Sequence, residues 1–164
     1  MIHKTALLAV AVALAAAGVS LAQDKPDFSG TWVLNMEKSN LGAGRPVTVP
    51  GGRTVTLVVK QTAAEMSIER QTGTQKDTAV YKLDGSECTN KLPGGSEVKS
   101  TTTWSGATLA TKSKAIINAP TGPITSEISD VRSLSADGQV MTIDGTRQTA
   151  QGEVKQKLVY DKQK

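Results

Sequence analysis

Histidine and cysteine each occur once in this 164-residue chain, at His3 and Cys88. The aromatic residues are only Phe28, Trp32, Tyr81, Trp104 and Tyr160. A lone cysteine excludes an intramolecular disulfide, and no histidine stands near it in sequence to activate its thiol. Five aromatics among scattered lysines and arginines are too few to form a base-stacking platform, which excludes nucleic acid as a partner. Apolar runs are equally scarce beyond the first twenty-two residues. There a basic start, Met1-Ile2-His3-Lys4, precedes an Ala/Leu/Val-rich stretch from Ala6 to Val19 that closes on Ser20-Leu21-Ala22. This is the pattern of a signal peptide cleaved after Ala22, too short and alanine-rich for a lasting membrane anchor. It predicts a periplasmic or secreted protein whose mature part, 23–164, is one domain.

Cleavage at that point removes His3. The mature chain then has no Ser-His or Cys-His dyad, no His-ligated zinc and no imidazole proton shuttle. The expectation is a protein that is not an enzyme and that holds no metal or cofactor. Losing Lys4 as well lowers the formal net charge from +4 to +3, a mild excess that bears mainly on solubility.

What is present is β-structure. Short Thr/Val/Ile-rich segments alternate with Gly, Pro, Asn and Asp-Gly punctuation, and no helical periodicity or heptad interrupts them. Strands are predicted at 30–36, 54–61, 66–71, 78–83, 97–104, 108–118, 124–134, 140–148 and 153–161. Gly73, Ser105-Gly106, Asp137-Gly138 and Gly152 mark hairpin turns between them. The Gly/Pro-rich stretch 39–52 is the longest break and a candidate lid. Consecutive hairpins make an antiparallel up-and-down meander of about nine strands. Left flat it would expose two long edges, and closing it into a barrel removes them. A two-sheet β-sandwich is the alternative.

Alternation assigns the faces. Lys112 and Lys114 stand opposite Leu109, Thr111, Ser113, Ala115 and Ile117, and Lys155 and Lys157 stand opposite Val154, Gln156, Leu158 and Tyr160. The lysine faces point to water, unlike the apolar outer band of a membrane-spanning barrel. The inward faces mix apolar residues with hydroxyls: Val98, Ser100, Thr102 and Trp104 on one segment, Ser126 between Ile124 and Ile128 on another. A buried hydroxyl without a partner costs about 1–3 kcal/mol, so these groups bond to one another, to backbone, to water or to a ligand. Either a filled core or a lumen of moderate polarity follows.

Other chemical patterns are weaker. Glu65 and Glu69 share a strand face at a spacing of about 13 Å, too far for paired-carboxylate glycoside chemistry. Asp84-Gly85, Asp137-Gly138 and Asp144-Gly145 do not continue into a calcium loop, and Pro93-Gly94-Gly95-Ser96 lacks the Lys-Ser/Thr ending of a phosphate cradle.

Phe28-Ser29-Gly30-Thr31-Trp32, opening the first strand of such a meander, resembles the Gly-x-Trp start of the calycins, the lipocalins and fatty-acid-binding proteins. Extended through Val33-Leu34-Asn35 and Lys38-Ser39, it resembles the start of small secreted bacterial lipocalin-like proteins. The resemblance implies that Gly30 lets the chain turn tightly at the closed end and that Trp32 plugs the barrel floor. It further implies that a basic side chain from a late strand crosses the indole, with Arg147 the first candidate and Lys157 the second. The expected function is non-catalytic binding of a small, partly apolar, lipid-like molecule. Val55, Leu57, Tyr81, Leu83 and Trp104 would bury its apolar part, and Thr102, Ser113 and Ser126 would orient it. The alternative is a protein-interaction module, such as a periplasmic protease inhibitor or an envelope-associated protein, with a protein partner and a filled core.

Overall fold

A computed structural model describes residues 25–42, 54–91, 96–119, 122–149 and 152–164. The predicted signal peptide and most of the predicted lid, 43–52, lie outside the described residues. The chain forms β1 (Gly30–Leu34), β2 (Val55–Gln61), β3 (Glu65–Thr72), β4 (Gln75–Lys82) and β5 (Cys88–Lys91). It continues with β6 (Glu97–Ser105), β7 (Thr108–Ala119), β8 (Gly122–Leu134), β9 (Val140–Thr149) and β10 (Gly152–Lys162). All are antiparallel to their neighbours in one sheet of order β4-β3-β2-β1-β10-β9-β8-β7-β6-β5. A single continuous sheet rules out the sandwich.

The first and last strands do join, with Trp32 opposite Lys162 and Leu34 opposite Tyr160. The sheet edges are therefore the internal strands β4 and β5. A side chain bridges that seam. The Asn90 carboxamide accepts from the Val80 N–H at 2.8 Å and donates to the Val80 carbonyl at 2.9 Å. It thus copies the donor and acceptor of a missing peptide unit. The Cys88 thiol donates to the same carbonyl at 3.2 Å. The barrel is nearly closed.

Among the described residues ten strands replace the nine expected from the sequence. The additional one, β5, reads Cys-Thr-Asn-Lys, with no apolar alternation and with turn residues on both sides, so the sequence pattern makes it a loop. Pairing with β6, from Cys88 opposite Ser100 to Lys91 opposite Glu97, makes it a strand. β1 also ends at Leu34 rather than Met36. Beyond a turn, Asn40 rejoins β10 through reciprocal backbone bonds with Lys157 of 2.7 and 2.5 Å. The described start of the lid segment is thus held along β10.

The antiparallel topology brings the β2–β3, β6–β7 and β8–β9 turns, the start of β1 and the end of β10 to one end of the barrel. This end is packed shut. Trp32, Phe28, Met66, Leu109 and Met141 are fully buried there, joined by Leu83 and Tyr160. Burying side chains of this size contributes about 1.5–3 kcal/mol each. The segment before β1 is tied beneath them: Trp32 Nε1 donates to the Phe28 carbonyl at 2.9 Å, and Gln61 Oε1 accepts from the Phe28 N–H at 3.1 Å.

Candidate functional site

Of the three residues given structural roles in the sequence, Trp32 and Gly30 lie at the floor and Arg147 does not. Trp32 is completely buried. Gly30 has φ +138°, a conformation that favours glycine, and a Cβ there would lie 2.7 Å from Lys162 Cε and push that lysine aside. Lys162 is the cation over the indole, with Nζ 5.1 Å from the ring centroid. Arg147 and Lys157 do not hold this position. Lys162 sits directly opposite Trp32 in the β1–β10 register, whereas Arg147 pairs with Ile128 and Val154 toward the other end. The pairing register, invisible in the sequence, decides which base reaches the indole.

Three expected ligand residues also belong to the closed end. Leu57, opposite Trp32, and Leu83 are buried in the floor cluster. Trp104 packs against Phe28 with ring centroids 6.2 Å apart, and Lys25 Nζ lies 5.4 Å from its ring. Trp104 and Lys25 border a concavity of about 340 Å³ beside the β2–β3 turn, so this indole faces the underside. A second concavity, about 330 Å³, lies over the outward-facing Lys99, Lys112, Lys114 and Glu127.

Above the floor the interior turns polar. Thr102 and Thr111 share a hydrogen bond of 2.9 Å, and Arg132 Nη1 donates to Thr111 Oγ1 at 3.0 Å. Ser100 and Ser113 share another of 2.8 Å. These hydroxyls satisfy one another, as buried ones must. The unbroken β7–β8 ladder, from Leu109 opposite Arg132 to Ala115 opposite Ser126, places Ser126, Ile128, Asp130 and Arg132 on the inward face.

Arg132 is the central group. Only 5% exposed, it reaches from β8 across the barrel to β4, where its guanidinium lies 5.3 Å from the Tyr81 ring centroid. Its Nη2 stands 3.9 Å from Asp130 Oδ2, a loose ion pair. Burial pushes the Asp130 carboxyl above the usual aspartate range, while the charges of Arg132 and Arg147 pull it back. Burial likewise pushes the Tyr160 phenol up to about 12, against the nearby Arg70 and Arg132. Asp130 Oδ1, Arg132 Nε and Arg147 Nε are buried and make no hydrogen bond within the protein. Gly145, opposite both Asp130 and Gln156, gives them space, since a Cβ would lie 2.8 Å from Asp130 Oδ1 and from Gln156 Nε2.

Toward the opposite end the described inward residues are only half-buried, among them Val55, Ser113, Ile128, Arg147 and Gln156. Ser126 donates to the Gln148 carbonyl at 3.3 Å near this rim. Arg70 and Asp77 form a 3.1 Å pair there. The described inward face thus forms a cup with an apolar base, a ring of hydroxyls and charges above it, and half-buried residues at its rim. Of the expected ligand residues, Val55, Tyr81, Thr102, Ser113 and Ser126 face inward above the floor, and Leu57 belongs to the floor itself. Sequence reasoning missed Asp130 and Arg132. Their placement two apart on the line Ser126, Ile128, Asp130, Arg132 was the available signal. Among the described residues, no group of three His, Cys, Asp or Glu side chains could hold a metal ion.

No protein-family model matches the sequence, and no curated protein matches it. Solved structures do match. A fatty acid transporter, REP1-NXSQ, superposes with a TM-score of 0.58 at 16% identity, covering 84% of this chain and 96% of that one. Fatty-acid-binding protein 1 of Echinococcus granulosus gives 0.55 at 18% identity, covering 82% and 96%. The zebrafish ileal bile acid-binding protein, solved with cholic acid, gives 0.58 at 15% identity, covering 83% and 98%. At such identities the likeness is one of fold. The described residues form a nearly closed barrel of ten antiparallel strands whose fold is similar to that of fatty-acid-binding proteins.

Proposed function

We propose that this chain is a non-catalytic carrier, periplasmic or secreted after loss of residues 1–22, that binds one small amphipathic molecule inside the barrel. The apolar part rests on Leu57 of the floor and against Val55 and Tyr81 above it. The polar end is anionic and sits among Arg132 and Arg147, with Thr102, Ser113 and Ser126 completing the polar wall. The carrying observation is the pair of inward arginines whose buried Nε groups make no bond within the protein. A buried donor lacking a partner is costly, and a bound anion removes that cost. Support also comes from structural neighbours described as a fatty acid transporter and a bile acid-binding protein with cholic acid. Reaction chemistry is not part of this reading, because the domain beyond residue 22 has no histidine to move protons at neutral pH.

The second reading, a protein-interaction module, is favoured by Ile116, Ile124 and Val131, large apolar side chains exposed on β7 and β8. Native mass spectrometry of the protein purified from its own cells separates the two. A carrier retains a small-molecule mass that Arg132→Met/Arg147→Met loses. A partner protein with no small molecule overturns the carrier reading.

A further inference from the structure

Asp130 adds a requirement that two arginines alone would not impose. A plain carboxylate head offers only acceptors, which suit Arg132 and Arg147 but would stand acceptor to acceptor against Asp130 Oδ1. That oxygen is buried and without a hydrogen bond in the protein, although Arg132 lies within 3.9 Å of the other carboxylate oxygen. Gln156 Nε2 also borders the space left by Gly145 yet does not bond to Asp130 Oδ1. The charges point the same way. One carboxylate and two guanidiniums leave a single excess positive charge, while the Arg70–Asp77 pair nearer the rim balances itself. One negative charge on the ligand neutralises the excess, and one O–H or N–H beside it satisfies Asp130.

We propose that the cup selects amphiphiles whose single anionic group carries an adjacent hydrogen-bond donor, the anion lying between Arg132 and Arg147 and the donor on Asp130 Oδ1. 2-Hydroxy fatty acids and N-acyl amino acids share this chemistry. The inference rests on the carrier reading and narrows its ligand class. A site built to bond a donor discriminates strongly against an analogue that lacks it, because its own polar group is then left buried and unpaired.

Calorimetric titration of the intact protein with palmitate, 2-hydroxypalmitate and N-palmitoylglycine tests this. At least one donor-bearing probe should bind about tenfold or more tightly than palmitate, and Asp130→Asn should erase that preference by offering its own N–H to the carboxylate. Neither donor probe exceeding palmitate, with all three bound, overturns the inference and leaves the carrier reading standing. A preference that survives intact in folded Asp130→Asn protein also overturns it. Binding of none of the three overturns both. Should Asp130→Asn fail to fold, the ranking on the unaltered protein decides alone.

Discussion

Arg132→Met removes the one guanidinium that crosses the barrel while keeping an unbranched side chain in its place. Three favourable contacts go with it. The charged hydrogen bond to Thr111 at 3.0 Å is worth about 1.5–3 kcal/mol. The cation over the Tyr81 ring at 5.3 Å adds about 0.5–2 kcal/mol. The third is attraction to Asp130, at 3.9 Å and partly screened because that side chain is 19% exposed. Against them stands relief from burying a guanidinium, several kcal/mol in its own right. The balance is a loss of about 2 kcal/mol near neutral pH, since removal of one partner leaves the other buried alone. In an Asp130→Asn background no carboxylate is stranded, and the same change should cost less than about 1 kcal/mol.

The pH dependence carries a sign. Burial raises the folded carboxyl above its ordinary value, so the folded protein keeps the Asp130 proton to higher pH than the unfolded chain does. Its contribution to stability is therefore present at low pH and lost as pH rises through the folded pKa. Without Arg132 that pKa climbs further, so the penalty of Arg132→Met should shrink on acidification. Urea unfolding of the four proteins of this cycle, at about pH 7 and about pH 4, measures both effects. Equal penalties in both backgrounds, or one that grows in acid, would refute the reasoning.

Three further outcomes are expected. Asn90→Ala removes both Asn90 bonds across the β4–β5 seam, leaving only the Cys88 thiol on the Val80 carbonyl among those described, and should speed amide exchange at Val80, with about 1–2 kcal/mol lost overall; unchanged exchange there means another contact closes the barrel. Gly30→Ala should cost about 1–2 kcal/mol through its positive φ and displacement of Lys162, more than the roughly 0.5–1 kcal/mol of Lys162→Met, and thermal melts giving the reverse order would contradict the floor geometry. Gly145→Val should destabilise by about 1–3 kcal/mol and weaken palmitate binding together, because its side chain collides with Asp130 and Gln156; calorimetry finding full affinity removes the cup from the binding site.

Much of this molecule was legible in its letters. Period-2 alternation within a strand is a local property, so the lysine faces, the hairpin turns and the inward hydroxyls could be read directly. The Gly30–Trp32 start could be read too, because a glycine two residues before a plug is a local arrangement. β5 could not, since its four polar residues become a strand only by lying against β6. The same holds for the floor cation: Lys162 reaches Trp32 because the chain ends pair in one register, and no rule internal to β10 selects it over Lys157.

By itself, then, the sequence determined the strand rhythm, the side of each strand that meets water and the scarcity of proton-transfer groups. Only the tertiary structure decided where the barrel seam falls, which base caps the indole and that Arg132 crosses to Tyr81. Each of these depends on pairing between residues far apart in the chain. A sheet's register is set by the sum of all its ladders, not by any one segment.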